Sequence, residues 1–135
     1  MYFNTIYNWK VVAKNSQGGT KSLVASFKTR AQTNQDLIVG KWFFESRLGE
    51  PEMSDFEKTS FMLFSSNSGF EIHTYLEDTN DESITSQHHN YTYTILGNNQ
   101  IELTSGSNAQ IWLIQSLTQT ELIILADGTT LTLLK

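Results

Sequence analysis

Three histidines and a run of acids are the residues with most chemistry to offer in this 135-residue chain. His73 sits between Glu71 and Tyr75 at two-residue spacing, so on a strand all three share a face and offer imidazole and carboxylate donors to a surface metal ion. A solvated strand face accounts for the same pattern more simply, and no metal is assigned. His88 and His89 are adjacent, which on a strand sends them to opposite faces and prevents joint chelation without a bulge. Glu77-Asp78-Thr79-Asn80-Asp81-Glu82 carries oxygen ligands of the kind Ca²⁺ takes, but lacks the glycine and the closing glutamate of an EF-hand loop. No Gly-x-Ser-x-Gly elbow exists, and no spacing orders Ser, His and Asp into a triad. Gly18-Gly19 and Gly97-Asn98-Asn99 are turns rather than phosphate loops, because no helix follows either. The chain has no cysteine, which removes disulfides, thiolate metal sites and thiol nucleophiles together. The expectation is a protein that is not an enzyme and needs no cofactor.

What positions these residues is a β-rich chain. Its hydrophobic content of 39% and aromatic content of 12% suit one packed domain with an appendage. No apolar run is long enough for a membrane helix, and Met1 to Lys10 shows no leader pattern. The net charge of −5 argues against nucleic-acid binding. Charge is also unevenly placed. Lys10, Lys14, Lys21, Lys28 and Arg30 precede the first acid, Asp36, so a basic front piece joins an acidic body.

The front piece divides into two strands, Tyr7 to Lys14 and Leu23 to Thr29, around a turn over Asn15-Ser16-Gln17-Gly18-Gly19-Thr20. Ala31 to Gln35 is a polar linker, and Asn34 is placed to cap a short helical turn through Ile38. Eight strand segments follow: Gly40–Leu48, Thr59–Ser65, Phe70–Glu77, His88–Leu96, Gln100–Thr104, Ala109–Ser116, Thr120–Leu125 and Thr129–Leu134. Ser66-Asn67-Ser68-Gly69, Gly97-Asn98-Asn99 and Asp127-Gly128 supply tight turns between them. Short sequential strands with no long helix predict an all-β, up-and-down antiparallel barrel, which also leaves no open edges.

Two resemblances refine this. Tyr7, Trp9, Val11, Ala13, Asn15, Gly18, Gly19, Ser26, Phe27, Lys28 and Thr29 form a pattern that resembles the last two strands of a fibronectin type III domain, over residues 2–30. Such a hairpin is marginal alone and exposes Trp9, Val11 and Phe27. The expectation is therefore a remnant of a neighbouring domain, with possible docking on the barrel or self-association through the hairpin. Residues 36–135 resemble the lipocalin-like domains of bacterial surface proteins, through the helical turn, Gly40-x-Trp42 and the strand count. The resemblance implies a barrel whose tryptophan packs across a closed end, often under an arginine from the final strand. This chain ends Leu133-Leu134-Lys135, so that arginine is missing and Lys135 is an imperfect substitute. It also implies an extracytoplasmic setting, in the periplasm or at the cell surface as a lipoprotein fragment.

Alternation assigns an inward row. Trp42, Phe44, Leu48, Phe70, Ile72, Leu76, Tyr91 and Tyr93 are the expected barrel lining and the candidate ligand-binding residues. Ile111-Trp112-Leu113-Ile114 is apolar on both faces. The two longest loops, Gly49–Lys58 and Asp78–Gln87, fall at the end away from Trp42. With the adjoining Glu77 that end holds eight of the fourteen acids: Glu50, Glu52, Asp55, Glu57, Glu77, Asp78, Asp81 and Glu82. An acidic mouth repels fatty carboxylates and favours neutral or cationic guests. Two functions stay open: a small-molecule-binding barrel for an apolar or neutral ligand, and a structural or interaction module whose barrel is filled by its own side chains.

Overall fold

The computed structural model describes residues 1–78 and 83–135. The chain divides into two compact units, Met1–Thr33 and Asn34–Lys135. Among the described residues no helix is long and apolar enough to cross a membrane.

The first unit is a hairpin broken into two ladders. β1 (Ile6–Trp9) pairs with β4 (Ala25–Lys28), and β2 (Val12–Asn15) pairs with β3 (Gly18–Lys21), all antiparallel. The turn is tighter than the sequence suggested. Only Ser16 and Gln17 lie between the paired Asn15 and Gly18. Gly18 takes φ +141°, and the Asn15 side chain accepts from the Gln17 N–H at 2.9 Å. Between the ladders, Ser22 donates its N–H to the Val11 carbonyl, and its hydroxyl accepts from the Val11 N–H, both at 2.8 Å. Tyr7 and Phe27 stack across the first ladder with centroids 5.5 Å apart, while Trp9 and Val11 are exposed.

The second unit is a closed barrel. After α1 (Asn34–Ile38) come β5 (Gly40–Arg47), β6 (Phe61–Phe64), β7 (Gly69–Asp78), β8 (Ser83–Leu96), β9 (Gln100–Ser105), β10 (Asn108–Leu117), β11 (Glu121–Ala126) and β12 (Thr129–Leu134). Each strand pairs antiparallel with its chain neighbours, and β12 pairs with β5 to close the ring. Alternation drives the placement. In β11, Leu122, Ile124 and Ala126 are buried while their neighbours are half-covered.

One end of the barrel is plugged by α1. The helix has only five residues, and its last carbonyls need partners. Trp42 Nε1 donates to the Ile38 carbonyl at 2.6 Å. Lys135 Nζ donates to the Leu37 carbonyl at 3.0 Å and the Val39 carbonyl at 2.7 Å, and lies 4.7 Å from the centre of the Trp42 ring. Burial holds the Lys135 ammonium below the usual lysine value. Gly40 is required here twice over: its φ is +130°, and a Cβ would sit 2.6 Å from Lys135 Cε. Ile38 and Trp42 are fully buried.

Two bulges alter which residues face in. Leu133 pairs with Phe44 but Thr132 with Ser46, so Glu45 is an extra residue on β5. An inserted residue reverses the alternation beyond it. Arg47, opposite buried Leu131, therefore turns inward, and Leu48 turns outward with 76% of its surface exposed. The expected place of Leu48 in the inward row is thus corrected, and Ser46 on the same strand is exposed. In β10, Gln115 is the extra residue, and the inward set passes from Trp112 and Ile114 to Leu117.

The segment expected to be a long loop at Asp78–Gln87 is largely strand. β7 and β8 stay paired from Gly69↔Thr92 out to Asp78↔Ser83. Beyond His73, β7 has no further partner on β6, and β8 joins β9 only from Thr92. The outer half of this hairpin is a two-stranded arm. Residues 85–87 of β8 are exposed, so that part of the ribbon needs no apolar alternation and its polar sequence reads as loop. The Ca²⁺ candidate at Glu77–Glu82 falls mostly on residues 79–82, outside the described residues, as do Asp81 and Glu82 of the acidic mouth.

Three substitutions test this account. Lys135→Met removes both donated hydrogen bonds and the ring contact, and is expected to cost about 1–2 kcal/mol, read as a lower urea midpoint at unchanged slope. Leu48→Asn should leave stability within about 0.5 kcal/mol, whereas Phe44→Ala, inward on the same strand, should cost about 3–5 kcal/mol. Equal losses at the two positions would refute the bulged register.

Candidate functional site

The closed half of the barrel is filled with rings. Phe64 lies 4.7 Å from Phe70 and 5.1 Å from Tyr93, and Phe70 meets Trp112 edge-on at 5.7 Å. Trp42, Phe64, Phe70 and Tyr93 are each at most 2% exposed. Tyr93 also finds polar partners: its hydroxyl donates to the Ser65 carbonyl at 3.0 Å and accepts from Gln35 Nε2 at 2.8 Å. Burial pushes the Tyr93 phenol above its ordinary value, with the Gln35 hydrogen bond acting against it.

Above this layer the interior opens. A cavity of about 270 Å³, open to solvent, lies at the end away from Trp42. Its apolar wall is Phe44, Met62, Ile72, Trp112, Ala126 and Leu131, and its polar rim is Arg47, Glu50, Thr74, Asp127 and Thr129. Arg47 reaches it only because of the bulge at Glu45. Its guanidinium lies 5.7 Å from the Phe44 ring and 3.5 Å from the Glu50 carboxylate. Trp112 Nε1 is buried and has no hydrogen-bond partner among the described residues. A second recess of about 280 Å³ is lined by Tyr91, Leu103, Ser105, Asn108, Ala109 and Gln110. A larger one, about 420 Å³, follows the β2–β3 turn from Ala13 to Thr20 and gathers no convergent side chains.

Of the eight residues expected to line a lumen, only Phe44 and Ile72 reach the mouth cavity, and Tyr91 reaches the second recess. Trp42, Phe70 and Tyr93 are filling. Leu76 is half-buried on the arm, and Leu48 points away. Arg47, Met62, Trp112 and Leu131 were missed. A bulge leaves no mark in local sequence, so nothing could have recovered Arg47. Trp112 was visible in an apolar run whose inward face alternation alone did not choose.

The acidic loop is also more structured than charge alone suggests. Ser54 Oγ accepts from the Glu57 N–H at 3.1 Å, and Glu57 Oε2 accepts from the Ser54 N–H at 3.0 Å, a reciprocal box that starts the 3-10 turn Glu57–Thr59. Lys58 donates to Glu45 at 3.0 Å, and that hydrogen bond raises the Lys58 ammonium above its usual value. Met53 turns from the loop into the core. Glu50 and Glu57 therefore face partners within the protein, and the mouth is less negative than the count of acids implies.

No protein-family model matches the chain, and no curated protein does. Among solved structures the chain is similar to a lipocalin-like protein from Bacteroides uniformis ATCC 8492, at 17% identity and TM-score 0.52, over 73% of this chain and 97% of that one. It also matches an uncharacterized protein from Bacteroides eggerthii DSM 20697, at 16% identity and TM-score 0.49, over 72% of this chain and 98% of that one. At such identity the likeness concerns the fold. The architecture is all-β, a closed eight-stranded antiparallel barrel of lipocalin-like form.

Proposed function

We propose that the barrel is a non-enzymatic binding module that takes a small, neutral, largely apolar molecule in its mouth cavity. The observation that carries this is a solvent-open cavity walled by Phe44, Met62, Ile72, Trp112, Ala126 and Leu131. The size suits a compact guest. About 270 Å³ exceeds the ~150 Å³ that holds one benzene and falls just below the ~300 Å³ where drug-sized sites begin. Arg47 is balanced by Glu50, and Asp127 adds a negative charge at the rim, so the site favours a neutral group over a carboxylate.

The second reading is a structural or interaction module with no ligand. The ring layer of Trp42, Phe64, Phe70 and Tyr93 favours it, because it fills half of the interior. An extracytoplasmic setting, and an origin of residues 1–30 in a fibronectin type III domain, belong to the same proposal and rest on sequence resemblance.

Native mass spectrometry of freshly purified protein, followed by tryptophan-fluorescence titration with small aromatic and aliphatic neutral compounds, separates the two readings. Binding is expected to be saturable. Ile72→Ala, which removes part of the apolar wall, should weaken it by about 1–2 kcal/mol, roughly 5–30-fold, and Leu48→Asn should not weaken it. No retained mass and no saturable binding across the panel would leave the module reading standing.

A further inference from the structure

The outer wall of the barrel carries a second cluster that the mouth does not use. Glu71 and His73, two residues apart on β7, share a face. His88 on β8 stands directly opposite His73 in the ladder. The two imidazoles stack, with centroids 3.9 Å apart and planes at 17°. Both Nε2 atoms converge on one oxygen: Glu71 Oε2 lies 3.2 Å from His73 and 3.7 Å from His88. His89 does not join them. It pairs with Ile72 and lies 6.5 Å from Tyr91 on the other face.

We propose that Glu71, His73 and His88 bind a divalent transition-metal ion, with zinc as the type case. In a tetrahedral zinc shell, bonds of about 2.0–2.2 Å set neighbouring donors about 3.3–3.6 Å apart. The two distances to Glu71 bracket that spacing, and all three donor atoms lie within 4.8 Å of one another. Stacked rings aim their Nε2 lone pairs in parallel, so His88, whose side chain is 46% exposed, turns out of the stack to reach the ion held by His73 and Glu71. Two imidazoles with one carboxylate suit zinc, copper or nickel, whereas calcium and magnesium call for six or more oxygens. Three protein donors leave a position for water, the form of an open site.

The His73 ring is held in place before any ion arrives. Phe43, Phe61, His73 and His88 are successive register partners across β5, β6, β7 and β8. Phe61 stacks on His73 at 4.3 Å and meets Phe43 edge-on at 6.2 Å, with the Lys41 ammonium 3.7 Å from the Phe61 ring centre. Packing on the far face of His73 fixes its plane, which lowers the ordering cost of coordination. The Glu71 and His88 side chains are 41% and 46% exposed, so an ion enters directly from solvent. The site also lies where the arm leaves the barrel, since β6 reaches β7 no further than His73. An ion there ties β7 to β8 at the base of that arm.

The test is calorimetric titration of zinc chloride into untagged, chelator-stripped full-length protein, with excess magnesium present. A single zinc per chain is expected. His73→Ala and His88→Ala should each weaken binding at least roughly tenfold, and His89→Ala should leave it unchanged. Wild-type protein offers an independent readout should a variant fold poorly: zinc should shift the imidazole resonances of His73 and His88 and spare those of His89. Absence of saturable binding, unchanged affinity in both ligand variants, or shifts shared by all three histidines would overturn the proposal. Each of those results would identify the cluster as a hydrogen-bonded pair on a solvated strand face.

Discussion

Three carbonyl oxygens at the end of a five-residue helix must find donors, and the closed end of the barrel is organised around that need. A helix of this length does not persist alone. It stands because Trp42 and Lys135 supply hydrogen bonds to Leu37, Ile38 and Val39. Trp42 comes from the first barrel strand, and Lys135 directly follows the last. The same few contacts therefore cap the helix, seat the plug and bind the two strands that meet at the seam. Gly40 is tied into this arrangement, since any side chain there would occupy the path of Lys135.

Once one end is sealed, the interior divides by depth. Rings pack edge to face in the closed half, an arrangement that favours dense filling over an empty lumen. The mouth half is shaped by irregularity. The extra residue at Glu45 brings a cation into an apolar wall, whereas the one at Gln115 lies toward the closed end, where it carries the inward face from Ile114 to Leu117. Whatever selectivity the mouth has depends on the Glu45 insertion as much as on the identity of the lining residues.

The strand series and the tight turns were legible in the sequence because each rests on local chemistry, while the plugging role of Trp42 came from the family resemblance. Alternation marks β9, β11 and β12, and Asp127-Gly128 marks the turn between the last two. The misplaced residues share a different cause. Leu48 and Arg47 exchanged faces through one inserted residue that has no distinguishing composition. The outer part of β8, residues 83–87, falls in a stretch that reads as loop because polarity separates buried from exposed, not strand from coil. His88 and His89 were correctly sent to opposite faces. That His88 then meets His73 is a matter of register between strands, which the spacing of residues along one strand does not contain.

The seam has a kinetic consequence. Lys135 and Leu37 are 98 residues apart, so the contact that finishes the barrel is among its least local. The chain entropy of closing so large a loop must be lost before the contact forms, and such topologies fold slowly. Until then β5 and β12 each present a row of unpaired amides, a template for other strands. During synthesis, at about 5–20 residues per second, the first barrel strand waits several seconds for its partner. The period of greatest exposure to wrong pairing thus comes from the connectivity of the barrel, and it ends only when the lysine arrives.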